Sequence, residues 1–256
     1  MPFSRLARSG AATLLFALAA CNVRQASLPT VAEVEQRFVN AIGGEAAIMR
    51  PGSARLRGFN ELYGAHGRRV WISVVLYVAP FRRLEIDTIP HRGSLESGYN
   101  GKIAWALSPH AKPQIITGHN TISIRRDADL YYWAHIPEYF KSMSVVGIES
   151  FGGRRSYHLR GITTWGDEEN QYYDVRSGLL NGYRFHQWVA GAPETSETRQ
   201  VFERYRSFEG IKFPTRTTNF SDNRLTSVGR LDSVEYDKVP PSMFNPPPAV
   251  RAVLRR

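Results

Sequence analysis

The chain has 256 residues, a formal net charge of +10 and a single cysteine. One cysteine excludes a disulfide framework, so apolar burial must hold the fold together, and the length is sufficient for that. The positive residues form no basic run, which excludes the usual pattern of a nucleic-acid-binding protein. The charge suits an anionic membrane surface as a partner, or a basic face that is merely solvated.

The N-terminal segment has the three parts of an export signal. Arg5 and Arg8 give a positive start, residues 11–20 are mostly apolar, and small residues precede Cys21. The apolar stretch is shorter than the about 20 residues that a membrane-spanning helix needs. The pattern therefore indicates an exported protein.

The quartet LAAC at residues 18–21 resembles the lipobox of bacterial lipoproteins, in which the cysteine becomes the lipid-modified first residue. The resemblance implies a signal peptide over 1–20, lipid attachment at Cys21 and a lipidated tether over 21–29. Asn22 follows the cysteine where an Asp would favour the inner membrane, so the expected location is the periplasm, anchored to the outer membrane. An ordinary cleaved signal with an incidental cysteine is the alternative.

An amphipathic helix is predicted after the tether. Thr30 followed by Glu33 forms a capping box, and Gly43 with Gly44 ends the helix. Its apolar residues recur with the helical period, so one face must lie on something apolar. These residues are Val31, Val34, Phe38, Ala41 and Ile42.

Strands and hairpins follow this helix. The segment RVWISVVLYV (69–78) alternates as a strand does, and FRRLEID (81–87) continues the pattern. Asn100-Gly101 predicts a two-residue hairpin turn that leads into KIAWAL. A second helical region is predicted over about 122–143, with Pro137 splitting it into two short pieces.

The rest of the chain predicts an antiparallel meander. Strands recur from residue 144 to 237 with short turns between them, and parallel strands would need longer crossovers. The segment PPSMFNPPPAV (240–250) is rich in proline and predicts an extended end of the fold. We expect one domain over 30–248 and a basic tail over 249–256.

Two short helices are too little to cover so broad a sheet tightly. A gap between the helices and the apolar face of the sheet would be an apolar ligand cavity. The alternative is a packed interior, as in an envelope scaffold or a chaperone subunit.

The common catalytic sequence patterns are missing from the chain. The sequence has no GxSxG elbow, no HExxH, no Walker-type loop and no GxGxxG between a strand and a helix. The 7 histidines are dispersed, and the acidic turn GDEEN (166–170) lacks the spacing of a calcium loop. "RRDADL" (125–130) is interpreted as the start of a helix with local ion pairs. We predict no enzyme, cofactor or metal site, with a lipid or glycan hydrolase as the less favoured alternative.

Several segments, in this order, resemble the bacterial outer-membrane lipoprotein-sorting proteins of the LolA/LolB-like superfamily. A lipobox makes the match closer to the lipid-anchored members. The segments are LPTVAEVEQRFVNAIGG (28–44), APFRRLEID (79–87), YNGKIAW (99–105), YYDVRSGLL (172–180), FERYRSFEGIKFPTR (202–216) and FNPPP (244–248).

The resemblance implies a mainly β fold, a curved antiparallel half-barrel of about eleven strands with helices covering its concave face. It also implies binding of lipid or lipoprotein acyl chains, without catalysis, and an envelope transport partner. We predict an acyl-chain site in the apolar cavity, because hydrocarbon burial needs little directional chemistry. The predicted lining residues are Val70, Ile72, Val74, Leu76, Leu84, Ile86 and Trp105 from the sheet, with Phe38, Leu130 and Trp133 from the helices.

Overall fold

The computed structural model describes residues 27–64, 67, 69–188 and 195–255. The predicted signal peptide and Cys21 lie outside the described residues. The described residues form one antiparallel sheet of 13 strands that is not closed into a barrel. This confirms the predicted mainly β fold class with a curved antiparallel sheet, although the sheet has more strands than the resemblance implied. No helix in the described part of the chain has both the length and the apolar character to span a membrane.

The strands are β1 (Ala54–Tyr63), β2 (Arg69–Ala79), β3 (Arg82–Ile89), β4 (Gly93–Tyr99), β5 (Ala104–Ser108), β6 (Ala111–Ile116), β7 (Phe140–Phe151), β8 (Arg154–Thr163), β9 (Glu168–Asp174), β10 (Leu180–Trp188), β11 (Thr195–Phe208), β12 (Ile211–Ser221) and β13 (Arg224–Tyr236). Their order across the sheet is β6-β5-β4-β3-β2-β1-β13-β12-β11-β10-β9-β8-β7. The sheet thus consists of two meanders, β1–β6 and β7–β13, which are joined where β1 pairs with β13.

Helix α1 (Val31–Ile42) begins and ends as predicted. The backbone N–H of Thr30 donates to Glu33 at 2.7 Å, and the backbone N–H of Glu33 donates back to the Thr30 hydroxyl at 3.2 Å. A short helix α2 (Glu45–Met49) follows. The apolar face of α1 packs on β8, β9 and β10 and forms the main core. That core contains Val34, Phe38, Ile42, Leu159, Tyr173 and Leu180.

The second helical region is shorter than predicted. Helix α3 (His119–Asp127) ends before the predicted midpoint, and a 3-10 helix (Ile136–Tyr139) holds Pro137 in its first turn. Strand β7 then begins at Phe140. Asp127 therefore lies at the end of a helix, so the interpretation of RRDADL as a helix start is wrong.

Two further turns differ from the prediction. The β4–β5 connection spans residues 100–103, and the Asn100 side-chain oxygen accepts hydrogen bonds from the backbone N–H groups of Lys102 and Ile103, both at 3.0 Å. The Asn100 backbone N–H also donates to the Ile103 carbonyl at 3.3 Å, so the two-residue turn is formed by Gly101 and Lys102, one residue later than predicted. The proline-rich end is not simply extended, because a 3-10 helix (Pro241–Phe244) and α4 (Pro248–Leu254) form there.

The C-terminal segment covers part of the outer face of the sheet. Phe244 packs with Ala79 and Leu84, and Val250 in α4 is fully buried. The expected basic tail is thus mostly a helix that is partly packed on the domain. Its burial leaves the concave face to α1, α3 and the connection between α3 and β7.

Cross-strand register assigns each predicted residue to a face, because directly opposed residues of antiparallel strands point to the same side. Leu76 is opposite Leu56, which places both on the concave face. Leu84 is opposite Tyr77 on one side and Gly98 on the other, and Gly98 is opposite Trp105. These last residues lie on the outer face, because Tyr77 alternates with Leu76 along β2.

Trp105 occupies the space that a side chain at Gly98 would need. A Cβ atom at Gly98 would overlap the indole ring of Trp105, which is fully buried. We expect Gly98→Ala to lower the free energy of unfolding by about 2 kcal/mol through overpacking. Gly147→Ala is the matched control, since a Cβ there meets nothing within 4 Å. Urea denaturation of both variants checks this, and equal stabilities would contradict the packing described.

Candidate functional site

The connection over residues 128–139, called the lid below, is organised by one buried carboxylate. Asp129 has a side chain with 0% exposure. It accepts hydrogen bonds from the Tyr131 backbone N–H at 2.9 Å and the Tyr139 hydroxyl at 2.8 Å, and His135 Nδ1 lies 2.8 Å from it. The lid therefore has a fixed shape although little of it is regular helix.

Two side chains, those of Tyr131 and Trp133, attach the lid to the rest of the domain. The Tyr131 hydroxyl donates to the carbonyl oxygen of Pro51 at 2.9 Å, just before β1. The Trp133 ring packs against Phe38 of α1, with ring centroids 5.9 Å apart, and against Phe213 of β12, at 4.9 Å. The lid is thereby held above the centre of the concave face.

An apolar cavity, called the slot, lies between the lid and strands β1, β2, β12 and β13. Its volume is about 150 Å³. A cavity of that volume accommodates a ligand of about the size of benzene. Asp127, Asp129 and Tyr132 lie at its polar side. Its other lining residues are Ile48, Pro51, Ala54, Leu56, Leu76, Val78, Leu130, Trp133, Ile211, Phe213 and Tyr236.

A larger and more polar cavity, called the basin, adjoins the slot. Its volume is about 990 Å³, and it shares Asp127, Tyr132 and Trp133 with the slot. Trp133 therefore stands where the two cavities meet. The remaining lining residues are Ser123, Arg126, Thr163, Trp165, Asp167, Glu168, Glu169, Tyr183, Phe185, His186, Thr195, Gln200 and Phe202.

A buried polar chain forms part of the basin wall. Arg126 Nη1 lies 2.8 Å from Glu169 Oε2, and Gln171 donates to the other oxygen of Glu169 at 2.9 Å. The Tyr173 hydroxyl donates to the Gln171 side-chain oxygen at 2.6 Å. The Arg126 guanidinium also lies 5.2 Å from the centre of a Trp165 ring. Glu169, Gln171 and Tyr173 are alternate residues of β9, so their side chains all point to the concave face.

The charges that line the basin are mostly negative. Four carboxylates, those of Asp127, Asp167, Glu168 and Glu169, face it together with the single guanidinium of Arg126. Since Glu169 is paired with Arg126, the rim keeps an excess of negative charge on a protein whose net charge is positive. Such a rim disfavours an anionic group.

Three predicted residues meet at the slot. Leu76 from β2 and Leu130 and Trp133 from the lid all line it. Phe38 lies behind them, fully buried in the core under α1 and in contact with Trp133. Phe38 therefore supports the lid from below and is not itself part of the slot surface.

The other predicted residues lie elsewhere. Val70, Ile72 and Val74 share the concave face with Leu76, since they alternate along β2, but they lie beyond the slot toward the β1–β2 connection. Three predicted residues lie on the outer face and do not reach the slot: Leu84, Ile86 and Trp105. Their face is set by the register with the neighbouring strands, which periodicity alone does not give.

Several slot residues were not predicted. Leu56 lies directly across from Leu76, and Val78 lies two residues further along the same strand. Phe213 and Tyr236 belong to β12 and β13, far along the chain. The alternation of β1 is clear from Ala54 to Arg57 but breaks down further along, because Asn60 lies on the face of Leu56 and Phe59 lies on the outer face. Pairing β1 with β2 would have identified Leu56; the β12 and β13 residues carry no local signal.

Glu35 is a buried carboxyl on α1, 8% exposed, and its Oε1 has no hydrogen-bond partner in the described structure. Burial raises the pKa of Glu35 from 4.5 to about 7. The folded state therefore binds more protons than the unfolded state between those values, and stability falls as pH rises through that window.

We expect Glu35→Gln to remove this fall and to be more stable than the parent at pH 8 by about 2 kcal/mol. Chemical denaturation at pH 5 and pH 8 measures it. Glu45→Gln, the same change at an exposed helix position, is the control. A parent stability that rises between the two pH values, with no difference from Glu35→Gln, would contradict the buried neutral carboxyl.

Metal chemistry has no evident centre in this site. Within residues 27–64, 67, 69–188 and 195–255, no group of three or more His, Cys, Asp or Glu side chains is placed to hold a metal ion. The Asp129 carboxylate and the chain from Arg126 to Tyr173 have the partners given above. The arrangement suits binding of a molecule with an apolar and a polar part.

No protein-family profile matches the sequence. No curated protein matches it either. Solved structures do match. A LolA superfamily protein from Nitrosomonas europaea has a TM-score of 0.60 at 12% identity, over 86% of this chain and 99% of that one.

Two further solved structures are similar. A DUF1329 family protein from Desulfovibrio piger has a TM-score of 0.60 at 12% identity, covering 84% of this chain and 97% of its own. A domain assigned to outer membrane lipoprotein sorting, from Vibrio parahaemolyticus, has a TM-score of 0.57 at 12% identity, covering 88% and 97%. At this identity the likeness establishes architecture. The chain has the fold of the LolA superfamily and of these lipoprotein-sorting domains.

Proposed function

We propose that this protein binds an amphiphile, with its hydrocarbon part in the slot and its polar end in the basin. The proposal depends mainly on one observation: the slot and the basin meet at Trp133. The slot is apolar, whereas carboxylates line the basin. The shared fold with lipoprotein-sorting domains agrees with it. Binding would be driven by the burial of hydrocarbon, at about 25 cal/mol per Å².

The volumes constrain how a chain could be held. The slot of about 150 Å³ takes only a short hydrocarbon segment, of about benzene size. A longer acyl chain must continue past Trp133 into the basin or displace the lid. We propose that the chain end enters the slot and that the rest lies along the aromatic side of the basin, formed by Phe185, Phe202 and Tyr183.

We further propose that the protein works in the cell envelope, in the periplasm, as a lipid-anchored carrier or acceptor of lipid or lipoprotein acyl chains. The lipobox-like quartet, the export signal and the fold support this location. The absence of recognisable catalytic patterns fits a role in binding. An envelope transport partner would deliver or receive the cargo.

The proposal is tested with amphiphiles that share a twelve-carbon chain and differ in the head: an ammonium, a maltoside and a sulfate. We expect saturable binding of the ammonium and maltoside compounds below their micelle concentrations, measured by calorimetry. The sulfate should bind at least about tenfold more weakly, because the basin rim is acidic. If none of the three binds, the slot does not take a hydrocarbon chain, the proposal is wrong, and the envelope scaffold is the remaining alternative.

A further inference from the structure

The outer face of the sheet has a second surface that the ligand site does not use. The C-terminal segment covers this face near β3, but it leaves the far ends of β1 and β2 and the adjoining strands β12 and β13 open. We call this open area the outer patch. Its residues are Arg57, Phe59, Tyr63, Arg69, Trp71, Arg216 and Arg230.

Aromatic rings and guanidinium groups alternate across the outer patch. Trp71 is 48% exposed, and its ring centroid lies 5.2 Å from that of Phe59. The Arg230 guanidinium lies 5.7 Å from the Phe59 ring, and that of Arg69 lies 5.3 Å from the Tyr63 ring. A large exposed tryptophan beside a second aromatic ring, on a face that also carries guanidinium groups, is typical of a water–membrane interface.

The register places like charges directly opposite each other. Arg216 is opposite Arg230 in the β12–β13 pair, and beyond the outer patch Arg184 is opposite Arg199 in the β10–β11 pair. Opposed like charges destabilise a sheet unless something compensates them. Glu203 pairs with Arg216, so within the first of these pairs the guanidinium without a carboxylate partner is that of Arg230.

Carboxylates on the same face compensate only part of this charge. Glu61 lies 3.2 Å from Arg69, and Glu203 lies 3.2 Å from Arg216. Among the described residues, no carboxylate lies within ion-pair distance of Arg57 or Arg230, which are both exposed. The outer patch therefore keeps a net positive charge, whereas the basin on the concave side is acidic.

We propose that the outer patch docks on a membrane surface rich in anionic lipid. Guanidinium groups pair with lipid phosphates, and Trp71 inserts at the level of the headgroups. The opposite signs of the two faces fix the orientation: the arginines turn toward the membrane and the acidic basin turns away. The proposal does not depend on the ligand site.

The test is sedimentation of the full chain carrying Cys21→Ser, which removes acylation, with vesicles of phosphatidylcholine alone or with 30% phosphatidylglycerol added (about one anionic charge per three lipids). Arg57→Glu with Arg230→Glu is the test variant. Lys102→Glu with Lys141→Glu, two exposed lysines elsewhere, is the control of equal charge change. The unprocessed N-terminus is common to all of them.

We expect the test variant to lose about tenfold or more of its affinity for the anionic vesicles, and the control to stay within about twofold of the parent. Brominated phosphatidylglycerol should quench part of the tryptophan fluorescence of the parent, and this quenching should be absent in Trp71→Phe. Equal losses in both variants would show that only net charge matters and would overturn the proposal. An unchanged test variant, or quenching that persists in Trp71→Phe, would also overturn it. Loss of binding to polyglutamate in the test variant, with vesicle binding unchanged, would assign the patch to an acidic protein instead.

Discussion

Leu130→Glu is expected to reduce the affinity for the dodecyl ammonium and maltoside compounds by at least about tenfold, because it removes an apolar slot wall worth about 1.5–3 kcal/mol when buried. The new carboxylate would also lose its solvation when hydrocarbon fills the slot. Leu130 belongs to the lid and is only partly buried, so the free protein should remain folded. Calorimetric titration measures the change.

Leu225→Glu is the matched control for this variant. Leu225 is 37% exposed on β13 and takes no part in the slot. The same substitution there should leave the affinity within about twofold of the parent, since a surface change away from the site has little effect. If Leu130→Glu binds as well as Leu225→Glu, the hydrocarbon does not lie under the lid.

Asp129→Ala is expected to lower the free energy of unfolding by about 3 kcal/mol, because it leaves several lid donors without their acceptor. The affected donors are the Tyr131 backbone N–H, the His135 ring and the Tyr139 hydroxyl. Hydrogen exchange over residues 128–139 should accelerate more than exchange in the sheet. The weakened lid should also bind the dodecyl compounds less tightly.

Asp127→Ala provides the comparison for stability. The Asp127 side chain is 51% exposed, and its ion pair with Arg126 is 3.4 Å long at the surface. Such a pair contributes at most about 1 kcal/mol, so the loss should be small. A lid that exchanges at the parent rate in Asp129→Ala would show that the carboxylate does not hold it.

Much of the fold could be predicted from local patterns. The capping box of Thr30 and Glu33 predicted α1, and alternation with marked turns predicted the strands from residue 144 onward, although β7 begins at Phe140. Local patterns failed where a side chain or a distant segment decided the outcome. Asn100 forms its own side-chain turn, and the proline-rich end becomes helical where Phe244 and Val250 can pack on the sheet.

The candidate site could be predicted only in part. Leu76 reaches the slot because its strand alternation is clean, and Leu130 and Trp133 reach it because the lid crosses the concave face. Leu84 and Trp105 have the same apolar character but lie on the opposite side. Alternation shows that the two faces of a strand differ, but it does not show which face is concave. Only the register with neighbouring strands decides which face is concave.

The most direct test of the account uses a dodecyl maltoside analogue with a photoreactive diazirine at the chain end. After irradiation of the complex, digestion and mass spectrometry locate the attached carbon. The account predicts labels on the slot segments around Leu56, Leu76 and Leu130–Trp133, and fewer labels in Leu130→Glu. Labelling confined to the outer face around Trp105 or Phe244, or spread evenly over the surface, would contradict an apolar site beneath the lid.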